Sequence, residues 1–234
     1  MNQILLSSKI PDSSRKLKII PEAVSYSDAE IRDKLLQLDK TCCVVKNGDA
    51  VGVCLEEDAD ESSSGTSMSL LAQALPLKTT QLGDPEFIKV HGLKMAYMTG
   101  SMANGIASEN LVIPSGKVGL LSSFGAAGLL PSRIEQAINI IQKALPDGPY
   151  AFNLIHSPSE DAIERAAVDL YLKYGVRTVE ASAFLGLTPN IVRYRVAGLR
   201  RSAQNQVEIT NRVIAKISRA EVASKFMAPL LKLC

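Results

Sequence analysis

The sequence holds no tryptophan and only 5% aromatic residues, so it offers few platforms on which nucleic-acid bases could stack. Charge of one sign is also lacking. The formal net charge is +2, too small a field to draw in a polyanion by itself. Two histidines, His91 and His156, and four cysteines, Cys42, Cys43, Cys54 and Cys234, form neither a CxxC pair nor a zinc-ligand spacing. No metal site is expected. No apolar run approaches the roughly 18 residues of a membrane span, so no membrane partner is expected. The opening Met1–Leu6 lacks the basic region of a secretory signal, so the expected location is the reducing cytoplasm, with the cysteines as thiols.

What is present is the composition of a folded chain: 234 residues, 46% hydrophobic and 21% charged. That length allows one ordinary domain and a smaller appendage. Residues 1–55 read as a small helix-plus-hairpin module. Ser27–Leu38 predicts a helix with Ile31, Leu35 and Leu38 on one face, and Lys46-Asn47-Gly48-Asp49 between β-branched runs is a hairpin signal. Residues 56–80 begin with the acidic Glu56, Glu57, Asp58, Asp60 and Glu61 and continue Ser-rich, a composition that reads as a linker or a loop of that module.

Over residues 81–234 the pattern changes to short apolar runs centred near Tyr97, Leu121, Phe152, Val179 and Ile214, 24 to 35 residues apart, with helical stretches between them. This is the cadence of βα units, hence an α/β fold with a parallel sheet. Pro131–Leu145 and Glu160–Tyr174 are the clearest helices. Pro114 falls inside the first helix, where it removes a hydrogen bond. The pattern alone leaves a barrel and a doubly wound sheet open. A (β/α)8 barrel of roughly 250 residues beginning near Met95 would extend well past Cys234, so only about the first five βα units are expected.

Ligands of such folds sit at the carboxyl ends of the strands. The Thr99-Gly100-Ser101-Met102 turn follows the first run, and Gly125-Ala126-Ala127-Gly128 follows the second. Either could admit a ligand to the backbone, and either could be plain turn chemistry. Asn153 carries a donor and an acceptor at a strand end, or caps the next turn. His156 reads as an acid or anion contact, or as surface. Glu180 and Ser182 end the fourth run. A carboxylate in an apolar strand points to function unless Arg193 or Arg195 pairs with it. Lys216 ends the fifth run, where it would meet an anion in a barrel mouth or reach solvent. Arg193, Arg195, Arg200 and Arg201 read as a solvated face or a dock for an acidic partner, not as a nucleic-acid surface.

The runs Ala96–Ser108, Ser123–Leu129, Gly148–Pro158, Val179–Phe184 and Val192–Arg195 resemble the PfaD family. These are trans-acting enoyl reductases of polyunsaturated fatty acid and polyketide synthases, within the nitronate monooxygenase-like flavoproteins. The resemblance covers about residues 82–226. It implies a (β/α)8 TIM barrel with FMN, NADPH as hydride donor, and an enoyl chain on an acyl carrier protein. It places Thr99, Gly100, Ser101, Met102, Asn153 and Lys216 against the cofactor, with Gly125, His156, Glu180 and Ser182 lining the pocket; the catalytic residue is not assigned. It also implies glycine-rich loops beyond Cys234, so a truncated, non-catalytic remnant that associates through an open sheet edge, with itself or another chain, is the competing expectation. A nitronate-oxidising flavoprotein is the third.

Overall fold

The computed structural model describes residues 8–9, 15–59 and 65–228, and the chain divides into two compact units, residues 1–82 and 83–234. The opening Met1–Leu6, Asp60 and Glu61 of the acidic run, and the tail after Ala228, including Cys234, lie outside the described residues.

In the first unit, strands β1 (Ser8–Lys9) and β2 (Lys16–Ile19) precede helix α1 (Asp28–Leu35) and strands β3 (Cys42–Asn47), β4 (Ala50–Leu55) and β5 (Thr66–Ala74). β3 and β4 form the expected hairpin, with Asn47 opposite Ala50 and Gly48 at φ 58° in the two-residue turn. β5 is the centre of the sheet, pairing with β1 and β2 on one side and β3 on the other. The structure therefore corrects the linker reading of residues 56–80. Met68 and Leu70 alternate inward to join Ile19, Val24, Cys43, Val45 and Cys54 in the core. The acids before β5 are anchored as well: Glu56 accepts from Gln73 at 2.8 Å, Glu57 pairs with Lys40, and Asp58 pairs with Lys34 at 3.2 Å. Cys42, Cys43 and Cys54 are buried free thiols.

Ser27 caps α1, accepting from Glu30 N–H while its hydroxyl donates to the Glu30 carboxylate. Ser27→Ala should cost about 1 kcal/mol, read as a lower urea midpoint of this unit with an unchanged slope. α1 ends at Leu35, short of the expected Leu38, and the expected apolar face departs as well: Ile31 is half-buried, and Leu35 and Leu38 are more than half exposed.

The second unit opens with α2 (Pro85–His91), capped by Asp84 and ended by Gly92 at φ 65°. The βα units follow as β6 (Met98–Thr99), α3 (Glu109–Lys117), β7 (Leu121–Phe124), α4 (Pro131–Ala144), β8 (Ala151–Ile155), α5 (Asp161–Lys173), β9 (Thr178–Ser182) and α6 (Pro189–Ala197). A hairpin of β10 (Leu199–Arg201) and β11 (Val207–Ile209) then intervenes before β12 (Arg212–Ala215) and α7 (Ala220–Met227), and it accounts for the longest strand spacing. The sheet order is β6-β7-β8-β9-β12, all parallel. Strand order follows chain order without reversal, and α3, α4, α5 and α6 pack each on the next, as in a barrel wall and unlike a doubly wound sheet. α3 continues across Pro114, so the missing N–H falls in its last turn.

Residues two apart on a strand share a face. Phe124, Phe152, Leu154, Val179 and Ala181 pack under α4, α5 and α6. The opposite face is graded. At its amino end Leu121 and Ala151, joined by Met98 and Ile214, are sealed by Phe87, Ile88 and Leu93 from the α2 region. At its carboxyl end stand Ser123, Asn153, Glu180 and Ser182. The fold thus gathers the polar cluster where the strands finish, with Thr178 and Arg212 the polar residues that open β9 and β12.

Candidate active site at the carboxyl ends of the parallel strands

Glu180 is the centre of this polar end. Its residue is 2% exposed, yet it carries a charge. Oε1 pairs with Lys216 Nζ at 3.0 Å, and Oε2 accepts the Ser101 backbone N–H at 2.9 Å. Burial pushes the carboxyl up, but Lys216, the Ser101 amide and the nearby hydroxyls of Ser123 and Ser101 more than offset it and hold it below the ordinary glutamate value. The partner is therefore neither Arg193, which pairs with Asp169, nor Arg195, which donates to the Asn211 carbonyl. The arginine series does not form one face: Arg193 and Arg195 lie on α6, Arg200 and Arg201 on the hairpin.

The pairing ties together two residues that the sequence treats separately. Lys216, whose side chain is 56% exposed, extends from the buried carboxylate to solvent. Its charge is balanced by Glu180, so it is a neutralised cation and not a free one.

Asn153 latches β8 to β9. Its Nδ2 donates to the Glu180 carbonyl at 3.2 Å and to Ser182 Oγ at 2.7 Å, which fixes the amide orientation. Its Oδ1 accepts no hydrogen bond among the described residues. The Asn153 carbonyl accepts from the buried Tyr171 hydroxyl at 2.6 Å, anchoring the strand end to α5. Ser123 is the residue the sequence reading missed. Its buried hydroxyl is near Glu180 but, among the described residues, lies outside hydrogen-bond geometry with any partner. The available signal was a Ser-Ser pair inside an apolar strand, the same anomaly that marks Glu180. Thr99, at the end of β6, hydrogen-bonds Ser122 on β7.

The glycine-rich turns resolve toward packing. A Cβ on Gly125 would lie 1.6 Å from the Met102 carbonyl oxygen. The amides of Asn104, Gly105 and Gly125 donate to the carbonyls of Ala127, Gly125 and Ala107, knitting the two turns to each other. Gly125 is therefore a spacer between loops. Gly100 and Met102 remain exposed at the rim. His156 turns elsewhere. Its Nδ1 meets Glu164 Oε2 at 2.9 Å, its ring stacks on Phe184, and Thr188 holds the other Glu164 oxygen. A backbone bond from His156 N–H to the Ser182 carbonyl is its link to the strand ends. The structure thus brings Ser101, Asn153, Glu180, Ser182 and Lys216 together, adds Ser123, and leaves His156 in a separate cluster with the helices. Among the described residues no group of His, Cys, Asp and Glu could hold a metal, and no helix is long and apolar enough to cross a membrane.

Residues 20–76 match the family model described as the fatty acid synthase subunit PfaD N-terminal domain. The chain is 41% identical over 229 residues to a polyunsaturated fatty acid synthase subunit of Thraustochytrium sp., covering 95% of this chain and 15% of that protein. It is 43% identical over 149 residues to polyketide biosynthesis protein PksE of Bacillus subtilis, covering 63% of this chain and 19% of that one. Among solved structures it is similar to the enoyl reductase domain of MlnA, from the macrolactin biosynthesis cluster of Bacillus amyloliquefaciens. The TM-score is 0.61 at 40% identity, over 63% of this chain and 34% of that one. The chain thus spans less than a fifth of these two curated relatives.

Proposed function

Because the chain belongs, by its N-terminal domain, to the PfaD family of synthase subunits, we propose that it serves polyunsaturated fatty acid or polyketide assembly as the cofactor-binding part of an enoyl reductase. The observation that carries this reading is the pairing of buried Glu180 with Lys216, beside Ser101, Ser123 and Asn153, at the carboxyl ends of a singly wound parallel sheet. Five such βα units would be one wall of a (β/α)8 barrel, completed by further units of the same kind.

The donor set suits the ring of FMN. A planar heterocycle presents alternating acceptors and a donor along one edge. The free Asn153 Oδ1 and the Lys216 ammonium offer both kinds of partner at the carboxyl end of the sheet. Thr99, Gly100 and Met102 would form the rim beside it. The amides of Asn104, Gly105 and Gly125 are committed within their loops, so they do not supply a phosphate grip. FMN, reduced by NADPH, would supply the hydride equivalent for an α,β-unsaturated acyl chain presented by an acyl carrier protein. Glu180 holds Lys216 and the Ser101 amide in fixed positions, which limits reorganisation when a ligand enters.

The test is the near-ultraviolet and visible absorbance of the purified chain before and after FMN addition and desalting. Retained flavin bands that bleach with NADPH are expected. A chain that remains colourless, with a thermal midpoint that FMN leaves unchanged, would remove the cofactor from this reading.

A further inference from the structure

Along β12, with its charged end at the amino end of the strand and away from the Glu180 cluster, a groove of about 850 Å³ runs between α6, α7 and β12. That is within the range of roughly 300–1,000 Å³ typical of ligand pockets. Its walls are aliphatic and aromatic, with Val196, Ile209, Val213 and Phe226 among them. Its charged lining is cationic, Arg195 from the last turn of α6 and Arg212 from the first position of β12, with the imidazole of His91 from the end of α2 beside them. No acidic residue lines it, and among the described residues neither arginine pairs with a carboxylate. Arg195 gives one N–H to the Asn211 carbonyl at 2.6 Å, leaving other guanidinium donors free. Burial, then the neighbouring Arg212, disfavours the charged form of Arg195, and the same two causes act on His91. Like charges held together without a counter-ion are relieved by an anion.

An apolar trough with its charge confined to guanidinium groups is complementary to a ligand that is itself apolar along its length and anionic at one end. We propose that this groove binds a long-chain carboxylate, with Arg195 and Arg212 on the headgroup and the alkyl chain along Val196, Ile209, Val213 and Phe226. The site is separate from the Glu180 cluster and does not depend on the reductase reading.

Calorimetric titration of the full chain with decanoate, laurate and myristate, each below its micellar concentration, tests this directly. One-site binding is expected, tightening about two- to fourfold per added methylene. Arg212→Gln should weaken laurate at least tenfold, and dodecanol should bind at least tenfold more weakly than laurate. Val196→Glu, on an exposed wall that the fold does not need, should also abolish laurate binding with an unchanged circular dichroism spectrum. Equal affinity for dodecanol and laurate would reduce the groove to an apolar surface and overturn the proposal. So would laurate binding that both variants leave intact, or no binding by the wild-type chain.

Discussion

Lys216→Met should destabilise the C-terminal unit by about 3 kcal/mol, whereas Glu180→Gln should cost about 1 kcal/mol, although both break the same ion pair. The asymmetry follows from where the two ends stand. Lys216 is 56% exposed and can return its ammonium to water when its partner goes. Glu180 is sealed, with a side chain 3% exposed, and without Lys216 keeps no cation, only the Ser101 amide and the neutral hydroxyls of Ser101 and Ser123. An uncompensated buried carboxylate is the costly outcome. The double variant should recover most of the loss, because the neutral amide can keep the Ser101 bond. The pH dependence should reverse sign at this site. In the native chain the carboxyl is held below its ordinary value. The pair therefore stabilises above the unfolded glutamate pKa, and that contribution is lost as pH falls through the lower folded value. In Lys216→Met, burial dominates and the folded value rises above the unfolded one. The site then favours folding only at low pH, and that favour is lost as pH rises through the raised value. Urea unfolding followed by circular dichroism from pH 4 to 8 reads both effects. Equal costs for the two single variants, or parallel pH profiles, would show that the pair is a solvated surface contact.

The βα framework was legible because parallel strands buried on both faces at their amino ends read as apolar runs, and their spacing is set by one helix and two turns. All five expected strands of the sheet lie at or beside their predicted centres. What pattern could not decide, barrel wall or doubly wound sheet, depends on non-local pairing, which no local period encodes. β5 was hidden for a different reason. Its first half alternates serine and threonine with the inward Met68 and Leu70, so composition suggested a solvated segment and two inward apolar residues were too few to declare a strand. The β10–β11 hairpin was missed because its strands are three residues each and mostly exposed, so the Val207-Glu208-Ile209 alternation is too short to declare a strand. At the site, single strand-end residues could be named, but not their connections. Glu180 and Lys216 are 36 positions apart in chain and 3.0 Å apart in space, and only the register of β9 with β12 brings them together. His156 was separated from that group by Glu164, a buried acid on α5 whose role a helical stripe does not disclose.

Gly125→Ala should cost at least 3 kcal/mol, at or beyond the upper end of the ~1–3 kcal/mol usual for overpacking, and should disturb the Glu180 cluster through the turn that carries Ser101. The added methyl would meet the Met102 carbonyl oxygen at 1.6 Å and its carbon at 2.6 Å, both backbone atoms that no rotamer change can move. Relief requires the turn after β6 to withdraw from the turn after β7. The bonds from Gly105 N–H to the Gly125 carbonyl and from Gly125 N–H to the Ala107 carbonyl, both 2.9 Å, resist that withdrawal. Ser101 precedes Met102 directly, so displacement of the turn draws its amide away from Glu180. The carboxyl then loses one of the donors that hold it low, and the acid limb of the stability profile should move to higher pH than in the native chain. Gly92→Ala is the matched control. Gly92 sits at φ 65° with open space around its Cα, so only left-handed backbone strain of about 1 kcal/mol is expected, with no change in the acid limb. A Gly125→Ala chain with native stability and an unmoved acid limb would mean that the two turns are not in contact. A low cost with a shifted limb would mean that the turn moves freely and that the position of Ser101, not the packing of Gly125, sets the state of Glu180.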